Sequence, residues 1–152
     1  MTIFSNQDIQ SIIMKYEHHE TEEIWENDNW KLDIKSSGLV YSYSVVGVFA
    51  VEAVRVIFQR FEQFSKNHPS PYEIFINLAG LKLIDHDARL ESIEGLKLRR
   101  NVLSALHILV SSSKIAMELA TLELLTGIKM IIYTDRSLWN VNYENANTRQ
   151  KK

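Results

Sequence analysis

Three short apolar runs, Tyr72–Leu78, Leu103–Val110 and Lys129–Tyr133, are separated by stretches of helical length. That alternation limits the fold more than any other feature of the chain. A strand–helix–strand connection sets its two strands parallel, with a right-handed crossover. Runs this apolar fit strands buried on both faces. The first crossover predicts a helix over His86–Arg100, with Ala88, Ile93 and Leu96 toward the sheet. Gly95 sits in its middle and costs ~1 kcal/mol against Ala. The second crossover predicts a helix over Lys114–Thr126, with N-caps on offer from Ser111-Ser112-Ser113 and Gly127 as the C′ residue. Between the first run and its helix lies a joint, Ala79-Gly80-Leu81-Lys82-Leu83-Ile84, followed by Asp85-His86-Asp87.

Upstream the period changes. Trp30, Leu32 and Ile34 alternate with Lys31, Asp33 and Lys35, the pattern of a half-buried strand. Ser36-Ser37-Gly38 reads as a turn and Leu39–Val46 as the partner strand, rich in Val and Tyr. Ile24-Trp25 starts a shorter strand. Val51, Val54, Ile57, Phe58, Phe61 and Phe64 then mark a helix with one apolar face, stopped by the prolines of Asn67-His68-Pro69-Ser70-Pro71. Nearer the start, Ile9, Ile12, Ile13 and Tyr16 have the spacing of a helix face, predicting an amphipathic helix over Asn6–Tyr16. His18-His19-Glu20-Thr21-Glu22-Glu23 reads as a solvated acidic loop. At the far end Asp135 caps a short helix through Leu138, Trp139 and Val141.

The expected fold is therefore a small mixed α/β sheet: an N-terminal antiparallel hairpin, then parallel βαβ units, with helices packed on it and an added N-terminal amphipathic helix. Residues 1–20 form that helix and a linker, 21–143 the α/β domain, and 144–152 a flexible C-terminal tail. A chain of 152 residues is most simply one folded domain with appendages.

Composition narrows the function. A net charge of −2 gives no global attraction to nucleic acid or anionic membrane. There is no cysteine, which excludes disulfides, thiolate nucleophiles and Cys-type metal sites. No apolar run reaches the ~18 residues of a membrane helix, and Met1–Gln10 lacks the plan of a signal peptide. The expected setting is cytoplasmic, without nucleic acid, membrane insertion, cofactor or metal. Ser111-Ser112-Ser113-Lys114 matches S-x-x-K, but S-D-N and K-T-G are absent, as are the Gly-rich dinucleotide, P-loop and nucleophile-elbow motifs. Lys97, Arg99 and Arg100 suit a helix C-terminus, with an anion patch as the sharper reading. His107 lies in an apolar strand and reads as a satisfied core residue.

Asp85-His86-Asp87 stands apart. It follows a strand, opens a helix and lies at the carboxyl end of the sheet, where open α/β sheets place ligands. Asp85 or Asp87 can cap the helix; alternatively the triplet is a recognition tip. A catalytic reading, with His86 between two carboxylates, lacks a nucleophile partner.

Phe75-Ile76-Asn77-Leu78-Ala79-Gly80-Leu81-Lys82-Leu83-Ile84-Asp85-His86-Asp87-Ala88 resembles the central motif of STAS domains, the sulfate-transporter and anti-sigma-factor-antagonist fold. That motif runs as an apolar strand, Asp-Leu-Ser-Gly, an apolar triplet, then Asp-Ser-Ser-Gly at a helix head. Leu78, Gly80 and Asp85 match it. Downstream, Ser111-Ser112, Gly127 and Met130-Ile131-Ile132-Tyr133-Thr134-Asp135 are similar to the sporulation anti-sigma-factor antagonists, over roughly Trp30 to Trp139. In those antagonists a serine after the Asp is phosphorylated. Here His86 occupies that position, Asp87 follows where a second Ser is usual, Ala88 replaces Gly and Asn77 replaces Asp. The resemblance implies a non-enzymatic regulatory or protein-binding module without a serine switch. It would act through Asp85, His86 and Asp87 and the neighbouring strand end at Ser111 and Ser112. The alternative is a small-molecule or lipid-binding module, which needs a cavity beneath the helices. Apolar residues on several faces of Lys114–Thr126, with the N-terminal helix, suggest either a homodimer interface or a helix that is simply well buried.

Overall fold

The computed structural model describes residues 11–17, 20–37 and 40–149, with backbone alone at 11–17, 20 and 149. Its strands are β1 (Ser11–Glu17), β2 (Glu20–Glu26), β3 (Trp30–Ser37), β4 (Tyr41–Phe49), β5 (Tyr72–Leu78), β6 (Leu81–Ile84), β7 (Leu103–Val110) and β8 (Met130–Tyr133). Its helices are α1 (Val51–Ser65), α2 (His86–Leu98), α3 (Ser113–Thr126) and α4 (Arg136–Arg149). The strands form one sheet in the order β1-β2-β3-β4-β5-β7-β8, with β6 set on β4. Pairing is antiparallel from β1 to β4 and parallel from β4 to β8. The mixed α/β sheet expected from the sequence is the one observed.

Three local expectations are corrected. Ser11–Glu17, read as the end of an amphipathic helix, is a strand paired rung for rung with β2. Ile12, Ile13 and Tyr16 suit either period over so short a stretch, and the ladder to β2 supplies partners that a lone helix lacks. Residues 1–10, with the rest of that predicted helix, lie outside the described residues, as do His18, His19, Gly38 and Leu39. Glu20–Glu23 is likewise strand, and Glu23 is buried rather than solvated. It takes both the Nε of Arg60 (2.8 Å to Oε2) and the indole N–H of Trp25, fastening β2 to α1. Lastly, α4 does not stop near Val141; it runs on to Arg149, because Ala146 is buried beneath it against the sheet.

The two faces of the sheet are covered unequally. Alternation sends Leu32, Ile34, Tyr41, Val45, Ile74, Ile76, Leu106 and Ile108 to one face, where α1, α2 and α3 close the main core. Tyr41 is buried there between Phe61 and Phe64, and its hydroxyl donates to Ile57 O at 2.6 Å. Burial raises its pKa, so it remains a donor. On the other face α4 alone covers Phe75, Leu109 and Tyr133, together with Val40. α3 is not buried all round: Met117 is 72% exposed and Leu124 86%.

Gly95 is explained by α1 rather than by α2. A Cβ there would lie 2.2 to 2.8 Å from the ring of Phe58, over which the Arg99 guanidinium sits 4.3 Å from the ring centroid. Arg99 itself pairs with Glu62 at 2.6 Å and donates to Gly95 O, so this basic residue serves the helix end and the α1–α2 contact. Gly95→Ala is therefore expected to destabilise by about 1–3 kcal/mol in denaturant melts, despite a propensity gain of ~1 kcal/mol. Adding Phe58→Leu should recover part of the loss.

Candidate functional site

The tip is built by sharing one strand. β4 pairs with β5 through Tyr41–Ser44 and with β6 through Gly47–Phe49, so β6 continues the line of β5. The register shifts between Gly47 and Val48, where Gly47 adopts φ 88° and its amide donates to Gly80 O at 3.0 Å. Asn77 Oδ1 accepts from Ala79 N at 3.0 Å and folds the chain between β5 and β6. The segment read from sequence as a joint is thus largely a strand, and α2 leaves from its end. Asp85 N donates to Phe49 O at 3.1 Å, and Arg89 N to Asp85 O at 3.0 Å.

Asp85 occupies the N-cap position of α2 with extended backbone, yet its carboxylate caps nothing. Asp85, His86 and Asp87 are all exposed, and among the described residues none of the three side chains makes a hydrogen bond or ion pair. Asp87 acts at longer range on Arg55, which pairs with Glu91 at 3.0 Å. The capping expected of Asp85 or Asp87 is therefore corrected: the backbone places the tip and leaves its carboxylates unspent. The two serines differ. Ser111 Oγ donates to Ala79 O at 2.7 Å and ties the end of β7 to the β5–β6 turn. Ser112 Oγ accepts from Ile115 N at 3.4 Å and caps α3. Ser111 is thus brought beside the tip's supporting turn, whereas both hydroxyls already have partners.

Two apolar residues near the tip were not singled out in the sequence. Val46 and Leu83 are about half exposed, and Val46 lies against Gly80, where an added Cβ would meet its methyls at 3.0 to 3.3 Å. Simple alternation from the buried Leu81 would send Leu83 inward; the register shift that pairs Leu81 with Gly47 and Leu83 with Val48 leaves Leu83 exposed while Ile84 packs on the core.

The other described histidines are accounted for by the fold. His68 Nδ1 lies 2.7 Å from Phe64 O, and its ring stacks on Phe64 at 4.0 Å. His107 is buried, stacked on Phe75 at 4.3 Å, with Tyr133 Oη at 2.7 Å from Nδ1 and Glu73 Oε1 at 3.1 Å from Nε2. Among the described residues no group of three or more His, Asp or Glu could hold a metal ion. No described helix is long and apolar enough to cross a membrane. The apolar void between α1, α2 and the sheet holds about 40 Å³. Ligand pockets run to about 300–1,000 Å³, so it has no room for a lipid chain.

A second polar region lies on the half-covered face. Asp33 on β3 meets Glu22 across the β2–β3 pair. Burial first, then the hydrogen bond and charge of Glu22, raises the Asp33 carboxyl to about 6, against the opposing charges of Lys35 and Lys31. An acid whose pKa rises on folding holds its proton more tightly in the folded chain. It is neutral to stability below the ordinary carboxyl value of 3.8, where both states are protonated; its destabilisation builds as pH rises from there and is complete above about 6. Asp33→Asn should therefore stabilise at pH 7.5 by on the order of 1 kcal/mol, discounted for partial exposure. Thermal melts should show the gain shrinking as pH is lowered toward ~4.

No protein-family model matches the chain, and no curated protein matches it. Among solved structures, that of an uncharacterised DUF3478-family protein with a SpoIIAA-like fold, from Shewanella loihica PV-4, superposes with a TM-score of 0.53. Identity is 12%, over 88% of this chain and 93% of that one. The likeness is one of fold, the SpoIIAA-like fold that the resemblance around Asp85 implied.

Proposed function

We propose that this chain is a cytoplasmic, non-enzymatic regulatory module that binds a protein partner through Asp85-His86-Asp87, without serine phosphorylation. The observation that carries this reading is the unspent tip: two carboxylates and an imidazole stand exposed on a strand-to-helix junction, with no side-chain hydrogen bond or ion pair among the described residues. Polar groups presented at a connection between rigid elements are well placed for recognition. Asp85 and Asp87 give the tip fixed negative charge where a phosphoserine would supply it on demand. With Val46 and Leu83 exposed nearby, the complementary partner surface is a basic residue flanked by apolar ones. Ser111, donating to Ala79 O, supports the tip from behind.

The test pairs a stability measurement with partner retention. Asp85→Asn/Asp87→Asn should melt within about 1 kcal/mol of wild type, the scale of a first-turn dipole contribution. In parallel pull-downs from the native cell, a protein held by wild type should be lost from the double variant. A partner held equally by both would sink the reading. The exposed stripe of Met117 and Leu124 on α3 supports pairing of two copies as a second feature of the module. Sedimentation at micromolar concentration should then give twice the 17.7 kDa chain mass, and a single-chain mass would remove it.

A further inference from the structure

α4 covers only part of its face of the sheet. Its far end is tied down by Ser37 Oγ at 3.0 Å from Asn147 Oδ1, and its middle packs on Phe75 through Trp139 and Tyr143. Beside it the free face of β3 and β4 carries Asp33, Lys35, Ser42 and Ser44, and β5 adds Asn77. Arg136 and Asn140, one turn apart on α4, look onto the same space. The resulting cleft has a volume of about 240 Å³. A helix laid on a sheet ordinarily fills such a corner with apolar side chains. Here the corner is polar, and much of that polarity is unused by the fold.

Three observations concern what the cleft contributes to stability. The Asp33 carboxyl meets Glu22 through a hydrogen bond, yet its buried Oδ1 has no partner among the described residues, an arrangement that carries a desolvation penalty. Arg136 stands at the first residue of α4, where the helix dipole disfavours a cation, and no hydrogen bond or ion pair within the described residues engages it. Asp135, the residue before it, accepts from Ser137 N at 2.9 Å and so already serves the helix. Lys35 makes a partly exposed pair with Glu22 at 3.7 Å, which is worth little, and its charge also acts on Asp33. The fold thus keeps two cations and a carboxylate around one concave space at some cost to itself.

We propose that this cleft binds a small hydroxylated anion of the sugar-phosphate class. Arg136 and Lys35 receive the anionic group, Arg136 with the planar fork suited to phosphate oxygens. Asp33 accepts from the sugar hydroxyls, and Ser42, Ser44 and Asn140 complete the polar lining. At about 240 Å³ the space suits one sugar ring with its phosphate, below the ~300 Å³ at which pockets for drug-sized ligands begin.

Calorimetric titration of the full chain with ribose 5-phosphate and glucose 6-phosphate tests this, with inorganic phosphate and free ribose as separate arms. At least one sugar phosphate should bind saturably, and at least about tenfold more tightly than either fragment. Arg136→Gln should weaken it by about tenfold or more while melting no lower than wild type. Asp33→Asn should also weaken binding, yet raise the melting temperature at pH 7.5. That opposition is a result a merely structural Asp33 would not give. Absence of saturable binding up to millimolar sugar phosphate, undiminished affinity in Arg136→Gln, or inorganic phosphate binding as tightly as the sugar phosphates would each overturn the proposal.

Discussion

Strand β4 has three neighbours, and the backbone at Gly47 allows it to hold them. It runs antiparallel to β3 along its length, and parallel first to β5 and then to β6 on its other side. The change of partner falls at the register shift after Gly47, where φ is 88° and an added Cβ would stand 2.4 Å from Asn29 O. Only glycine meets both demands without displacing the neighbouring backbone. Without that shift β6 would lose its place beside Val48 and Phe49, and Asp85 would not reach Phe49 O. The position of the tip is thus set by main-chain pairing with the neighbouring strand β4 rather than by its own side chains.

This division of labour explains why the tip and the cleft can both carry unspent polar groups. Stability comes from the face closed by α1, α2 and α3, where Tyr41, Phe61, Ile108 and their neighbours are almost wholly buried. Close helix packing at Gly95, and the Glu23–Arg60 pair that fastens β2, add to that one side. The opposite face contributes less, through the small cluster under α4, and tolerates Asp33 and Arg136 in unfavourable settings. Residues that weaken a fold without an evident compensating contact are where function is sought.

The sequence made the central part of this legible because its apolar runs are long and its turn residues distinct. β7 falls on Leu103–Val110 and β5 on Tyr72–Leu78 as the apolar runs place them, and Gly127 takes the left-handed φ of 73° expected of a C′ residue. The acid–His–acid triplet was visible at the helix head, although its capping role was not what the structure holds. What escaped were features decided by distant partners. Ile12, Ile13 and Tyr16 fit two periods, and β2 selects the strand. Leu81–Ile84 is too short for a period of its own, and β4 makes it a strand. The chain past Tyr143 looks solvated until Ala146 meets the sheet. The cleft between Asp33 and Arg136 joins residues about a hundred positions apart, which no local pattern brings together.

The backbone holds the tip, and its side chains are left free. Amide hydrogen exchange on wild type and on Asp85→Asn/His86→Ala/Asp87→Asn measures this directly. Protection of the β6 amides, of Asp85 N against Phe49 O, and of the first turn of α2 should be the same in both proteins. Exchange faster by about tenfold or more across β6 and that first turn in the triple variant would show that the side chains hold the junction, and would contradict the account.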